Sequence, residues 1–296
     1  MTSALLARVS AGEPLASEHR QWLLETRDLV RLGMVASEVR QRVTGGTGTF
    51  VRVDDVALAD AATTEPADEA GEVRISGAPA SLDEAVAAVT ALGARAAAPV
   101  TGFALHDLAV AAGPALRDWL MRLRESGLAA VAQARLDRLD EAWLEDVAAA
   151  GLVVQSVAPG HAVGDDAWAA LLEQVAALQA RHDVFQAFHP LPLEASVTEP
   201  STGYDDMRAV ATARVLLPSL PRLQVHWGRA GAKLAQACLL FGASDVDGVP
   251  ARDPLPHGPR RAILEEVRRN IVAVGLTAVE RTARFEPRTL DAGAPA

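Results

Sequence analysis

FQAFHPLPLEASVTEPSTGYDDMRAVATARVLLPSLPRLQVHWGRAGAKLAQACLLFGASDVDG, residues 185–248, decides the fold. VFQAFHP (184–190) is a short apolar, aromatic run closed by proline and reads as a buried strand. YDDMRAVATARVLL (204–217) carries apolar residues three and four apart behind Asp205 and Asp206, the pattern of a helix with an acidic first turn. LQVHW (223–227) reads as the next strand, and GAKLAQACLLFG (231–242) as the next helix, ended by glycine. Asp245 and Asp247, in GASDVDG, read as a turn explained by Asx chemistry.

The same alternation runs outward toward the N-terminus. Strands are predicted at TFVRVDDVALAD (49–60), EVRIS (72–76), ARAAAPVTG (94–102), LAAVAQA (128–134) and LVVQSVAPG (152–160), with helices between them from residue 81 onward. Residues 59–71, ADAATTEPADEAG, are acidic and aperiodic and read as a surface loop. Alternating strands and helices imply parallel strands covered by helices. A TIM-like α/β barrel of (β/α) units, complete or incomplete, fits better than a doubly wound sheet, because no helix opens with a G-x-G-x-x-G loop; GGTG (45–48) and SGAP (76–79) read as turns. The predicted organisation is one domain over 1–285, with a helical lead (1–48), the barrel (49–250) and a closing helix plus strand (251–285), and then a disordered tail (286–296).

The 296 residues are 50% hydrophobic and 22% charged, with a formal net charge of -10, so a large core is available and the basic stripe required by nucleic acid is missing. No stretch is apolar enough for a membrane span, and the expected location is the cytoplasm. One cysteine, Cys238, cannot form an intramolecular disulfide or a Cys-rich metal site.

From Trp143 onward the chain resembles the menaquinone-pathway radical SAM enzymes and their deazaflavin-forming relatives. It is most similar to aminofutalosine synthase, and also similar to dehypoxanthine futalosine cyclase and deazaflavin (FO) synthase. WLEDVAAAGLVVQSVAPGHAV, FQAF-x-PL, DD-x-R-x-x-A-x-A-R-x-x-L, H-W, G-x-K-x-A-Q and FGA-x-D-x-DG occur in the family's order. The resemblance implies a radical SAM type barrel. In that family a Cys-x3-Cys-x2-Cys loop between the first two strands holds a [4Fe-4S] cluster whose open iron binds SAM. The matching region here, DDVALADAATTEPADEAG (54–71), contains no cysteine, and AQARLDRLDEAW replaces the family's Gly-rich turn ending in Glu. The expectation is therefore no cofactor: neither a [4Fe-4S] cluster nor SAM, apart from a remnant of the SAM site at Ser76 and Gly77. Any activity would not proceed by reductive cleavage of SAM.

Three histidines fall at predicted C-terminal strand ends, His161, His189 and His226, where barrels place function. With Asp165 or Glu194 they could form an acid–base or metal site, line a polar pocket, or serve structure alone. The resemblance adds Gln186, Gln224, Trp227 and Lys233 as pocket candidates. The functional expectation is a pseudoenzyme linked to the futalosine route to menaquinone, binding a small aromatic carboxylate or nucleoside, or associating with an active relative. The alternatives are a repurposed enzyme using His161, His189 and His226, and a scaffold without a ligand.

Overall fold

Parallel pairing runs through every strand of the computed structural model, which describes residues 2–11, 13–194, 201–252 and 262–288. Three helices lead: α1 (Thr2–Ala11), α2 (Ser17–Glu25) and α3 (Leu29–Thr44). There follow β1 (Thr47–Ala57), β2 (Glu72–Ser76), α4 (Leu82–Gly93), β3 (Val100–Ala104), α5 (Leu105–Ala112) and α6 (Leu116–Glu125). Next come β4 (Leu128–Arg135), α7 (Glu141–Ala149), β5 (Val154–Ala158), α8 (Asp165–His182), α9 (Gly203–Leu216), β6 (Gln224–His226) and α10 (Trp227–Leu240). The chain continues with β7 (Asp245–Pro250), α11 (Ile263–Ala273) and β8 (Thr277–Glu280).

The strand order β5-β4-β3-β2-β1-β7-β6 is that of an α/β barrel opened between β5 and β6. VFQAFHP crosses this gap. It makes parallel bridges from Phe185 and Phe188 to Val154 and Val157 on one side, and from Phe188 to Leu223 on the other. The TIM-like barrel is thus nearly closed, with isolated bridges in place of one full strand. β1 is long enough to pair with β8 at its start and β2 at its end, so β8 lies at the foot of the barrel.

Alternation along the strands sorts the side chains. Val73, Ile75, Val131 and Val154 pack outward beneath α4–α8, while Phe50, Val225 and Val246 pack against α10 and α11. The lead helices dock on α9 through Leu32, Val35, Ala211 and Val215. Asp205 and Asp206 do open a helix: Thr202 and Asp205 form a reciprocal capping box at the start of α9.

Two expectations are corrected. GASDVDG is not a turn, because Asp245 and Asp247 belong to β7 and are buried inside the barrel. Asp245 forms a two-bonded pair with Arg281, at 2.6 and 2.7 Å, and accepts from Gln224 Nε2 at 2.8 Å and Thr49 Oγ1 at 2.5 Å. These partners replace the water that a turn would have supplied. The tail also does not loosen at 286: Pro287 bridges to Arg281, and Arg288 donates to a Glu280 carboxylate oxygen at 3.0 Å and to the carbonyls of Asp68 and Glu69. Residues 289–296 of the predicted tail lie outside the described residues.

Asp245 and Arg281 have side-chain exposures of 0% and 1%, so removing either leaves the other charged in a dry interior. Arg281→Ala is expected to destabilise the fold by about 3–5 kcal/mol. Urea unfolding of the variant beside wild type checks this.

Candidate functional site

The C-terminal strand ends surround a cavity of about 320 Å³. β1 contributes Asp55, β2 gives Arg74, Ser76 and Gly77, and β3 gives Phe103 and Ala104. Asp107 on α5, Gln133 on β4 and Ser156 on β5 extend the wall. His189, Gln224, His226, Arg229 and Asp247 complete it. β2 and β7 use strand alternation to carry Glu72 and Arg74, or Asp245 and Asp247, on the inner face.

Charge is largely paired at the cavity base. Arg74 donates to Glu72 at 2.8 Å and to both oxygens of Asp247, at 3.0 and 2.8 Å, while Thr101 donates to Glu72 at 2.5 Å. Burial alone would raise the Asp247 carboxyl, but the Arg74 guanidinium outweighs it and holds that carboxyl well below the usual carboxylate range. Nearer solvent, Asp55 opens to the mouth and makes no side-chain hydrogen bond among the described residues; partial burial outweighs the attraction of Arg74 and raises its carboxyl. Ser156 Oγ and His226 Nδ1 are buried without partners.

Backbone strain gathers at the same place. Phe103 is held at a φ of 63°, unusual for a side chain branching into an aromatic ring. Gly248 has a φ of 66°, and a Cβ there would run into the His226 imidazole, so glycine meets both the backbone and the steric requirement.

The three predicted histidines are not brought together. His189 and His226 line the cavity, whereas His161 is exposed beyond β5, with Nδ1 3.5 Å from Glu194 and Nε2 3.8 Å from Asp137. His161 and Asp165 border a separate cavity beside α8 and α9. Among the described residues, no three His, Cys, Asp or Glu side chains are grouped to hold a metal ion. Ser76, Gly77 and Gln224 also line the mouth, although the Gln224 amide is committed to Asp245. Gln186 contributes backbone bonds, to Val154 O and from Arg222, without lining the cavity. Trp227 is buried outside the barrel against α10 and α11, and Lys233 is exposed on α10.

Sequence reasoning missed Asp55, Arg74, Asp107, Gln133, Ser156, Arg229 and Asp247. A usable signal existed in EVRIS, where Glu72 and Arg74 alternate with Val73 and Ile75; polar residues at period two in a covered strand imply a polar barrel interior.

His189 is neutral by construction. Its Nδ1–H donates to Leu191 O at 2.7 Å, and Nε2 accepts the His226 backbone N–H at 3.2 Å, leaving no lone pair for a metal or a second proton. Burial is the main cause that lowers its pKa from 6.5 to about 4. A folded value below the unfolded one means that stability is full above pH 6.5 and is lost as pH falls toward 4. Over that window wild type should lose up to about 3 kcal/mol that His189→Gln does not lose. Chemical denaturation at neutral and acid pH for both proteins checks this.

No family model matches the chain. It is similar to the FO synthase of Mycobacterium leprae, 28% identical over 210 residues, which cover 60% of this chain and 24% of that protein. The aminodeoxyfutalosine synthase of Thermus thermophilus is 30% identical over 128 residues, 38% of this chain and 34% of that protein. The 5-amino-6-(D-ribitylamino)uracil–L-tyrosine 4-hydroxyphenyl transferase of Methanocaldococcus jannaschii is 29% identical over 106 residues, 33% of this chain and 29% of that protein. The chain therefore spans only 24–34% of the length of these relatives. Among solved structures, methylornithine synthase (PylB) aligns with a TM-score of 0.67 at 16% identity, covering 95% of this chain and 98% of that one. The [FeFe]-hydrogenase maturase HydG aligns with a TM-score of 0.66 at 12% identity, covering 96% and 76%. At such identities these two likenesses speak for the fold alone. The chain shares its barrel fold with these two structures and is a relative, at modest identity and over part of its length, of FO synthase, aminodeoxyfutalosine synthase and the hydroxyphenyl transferase.

Proposed function

We propose that this protein is a radical-SAM-like barrel that binds a small ligand at its mouth without a [4Fe-4S] cluster, as a pseudoenzyme or partner protein linked to the futalosine route to menaquinone. The observation that carries this reading is the connection between β1 and β2. Residues 58–71 hold one 3-10 turn, Leu58–Asp60, and no α-helix, and they contain no cysteine. Three guanidinium groups tie the segment down. Arg95 donates to the Ala61 and Thr64 carbonyls, Arg252 to Glu65, and Arg288 to Asp68 and Glu69. The Asp54 carboxylate accepts the Ala67 N–H at 2.7 Å.

An iron–sulfur cluster needs several thiolates, and the donors at this place are carboxylates and hydroxyls. Cys238 is no substitute: it is fully buried in α10, and burial pushes its thiol up to about 12. The residues present do not fit a cluster.

The mouth itself suits recognition. Phe103, Ala104 and Ala132 supply apolar wall, while Asp55, Asp107, Gln133, Ser156 and Arg229 offer polar groups, which is the usual make-up of a small-molecule site. The ligands in view are an aromatic carboxylate or a nucleoside, and an active relative is a candidate partner. A second reading, polar acid–base chemistry, is favoured by the unpartnered Nδ1 of His226. It rests on that residue rather than on His161 or His189, and predicts ligand turnover that His226→Gln abolishes.

Anaerobic reconstitution with iron and sulfide, followed by absorption and electron paramagnetic resonance spectra and an assay for SAM cleavage, tests the main reading. The expected outcome is no [4Fe-4S] signature and no 5′-deoxyadenosine. A stoichiometric cluster that cleaves SAM would overturn it.

A further inference from the structure

We propose that Arg229 reads a carboxylate on the ligand of the barrel mouth and that the break in α10 at Gly231 sets its position. The inference rests on the ligand-binding reading above and deepens it by choosing between a carboxylate and a neutral nucleoside.

Two guanidinium groups line the cavity, and only one is available. Arg74 is engaged by Glu72 and by both oxygens of Asp247. Arg229 is exposed at the mouth and makes no hydrogen bond or ion pair among the described residues. It sits on the single turn Trp227–Ala230, whose Trp227 is anchored in the core behind the barrel. Gly231, at φ 70° and ψ 167°, then interrupts the helix, so this turn does not continue the line of the rest of α10. A side chain would find no steric obstacle at Gly231, but the backbone conformation itself is one that other residues rarely adopt. The glycine is thus needed to hold the turn where it is.

Burial and the neighbouring Arg74 lower the Arg229 pKa against the attraction of Asp247 and Asp55, and no carboxylate among the described residues pairs with its guanidinium. An arriving carboxylate would pair with the guanidinium in the two-bonded geometry that arginine favours. The rest of the wall restricts the ligand further. Asp55 and Asp107 carry no side-chain hydrogen bond among the described residues, and Ser156, at 6% exposure, borders the same cavity with an unpartnered Oγ. These groups call for hydrogen-bond donors on the ligand. They also repel a phosphate dianion, which would face Asp55, Asp107 and Asp247 together. The class that satisfies both ends is a small carboxylate bearing a hydroxyl or amine.

Ligand-observed NMR titration with para-hydroxybenzoate, its methyl ester and adenosine tests this on the full chain. The acid is expected to bind at least about tenfold more tightly than the ester. Arg229→Gln should erase that difference at an unchanged melting temperature, Arg229→Lys should keep part of it, and Gly231→Ala should weaken the acid but not the ester. Equal binding of acid and ester, or an Arg229→Gln variant that still prefers the acid, overturns the assignment. Binding of adenosine alone overturns it too while leaving the ligand-binding reading standing, and binding of none of the three removes both.

Discussion

Opposite charges paired inside the barrel are the constraint on which the rest of the structure depends. Arg281, rising from the end of β8, meets Asp245 on β7 and lies 4.0 Å from Asp247, which in turn is held by Arg74, itself held by Glu72. Each of these charges would be costly alone in a dry interior; Glu72 and Arg74 pair within β2, while Asp247 and Asp245 receive their cations from β2 and from the residue after β8. This gives β8 its role. It completes no barrel wall, yet without it Asp245 has no cation. Phe285 follows, with the Arg281 guanidinium 3.9 Å and the Arg222 guanidinium 4.3 Å from its ring centroid, so the floor is packed as well as neutralised.

The same pairing shapes the mouth. Because Arg74 is fully engaged below, the cation that faces solvent is Arg229, carried on a different element and freed by a glycine break. Because His189 uses one nitrogen on Leu191 O and the other on the His226 amide, it serves as a neutral strut between the bridging segment and β6. The groups left without partners, at Ser156, His226, Asp55 and Asp107, lie above this neutralised floor. A ligand site of this kind is rigid beneath and unsatisfied on top, which is the arrangement that pre-organised recognition requires.

The connection after β1 stands apart from that network. Its carbonyl groups are held by Arg95, Arg252 and Arg288 and its Ala67 N–H by Asp54, none of which belongs to the buried ladder. At its end the segment joins the barrel floor, where Gly71 N–H donates to Arg52 O and Gly71 O accepts from Ala283 N–H.

The sequence by itself determined the alternation of strands and helices, the parallel barrel that follows from it, the acidic helix starts and the lack of thiolates after the first strand. All of these are local properties, set by side-chain period and by residue type within a few positions. Only the tertiary structure decided where the polar side chains point. Asp245 and Asp247 look like turn aspartates until Arg281 and Arg74 are placed against them, and Arg74 and Asp247 are 173 residues apart in the chain. His161, His189 and His226 look equivalent at predicted strand ends, yet one faces solvent beyond the barrel while two face the cavity. A strand's facing reverses with a shift of one residue, and register is fixed by distant pairing partners. That is why the barrel was legible in the sequence and its interior was not.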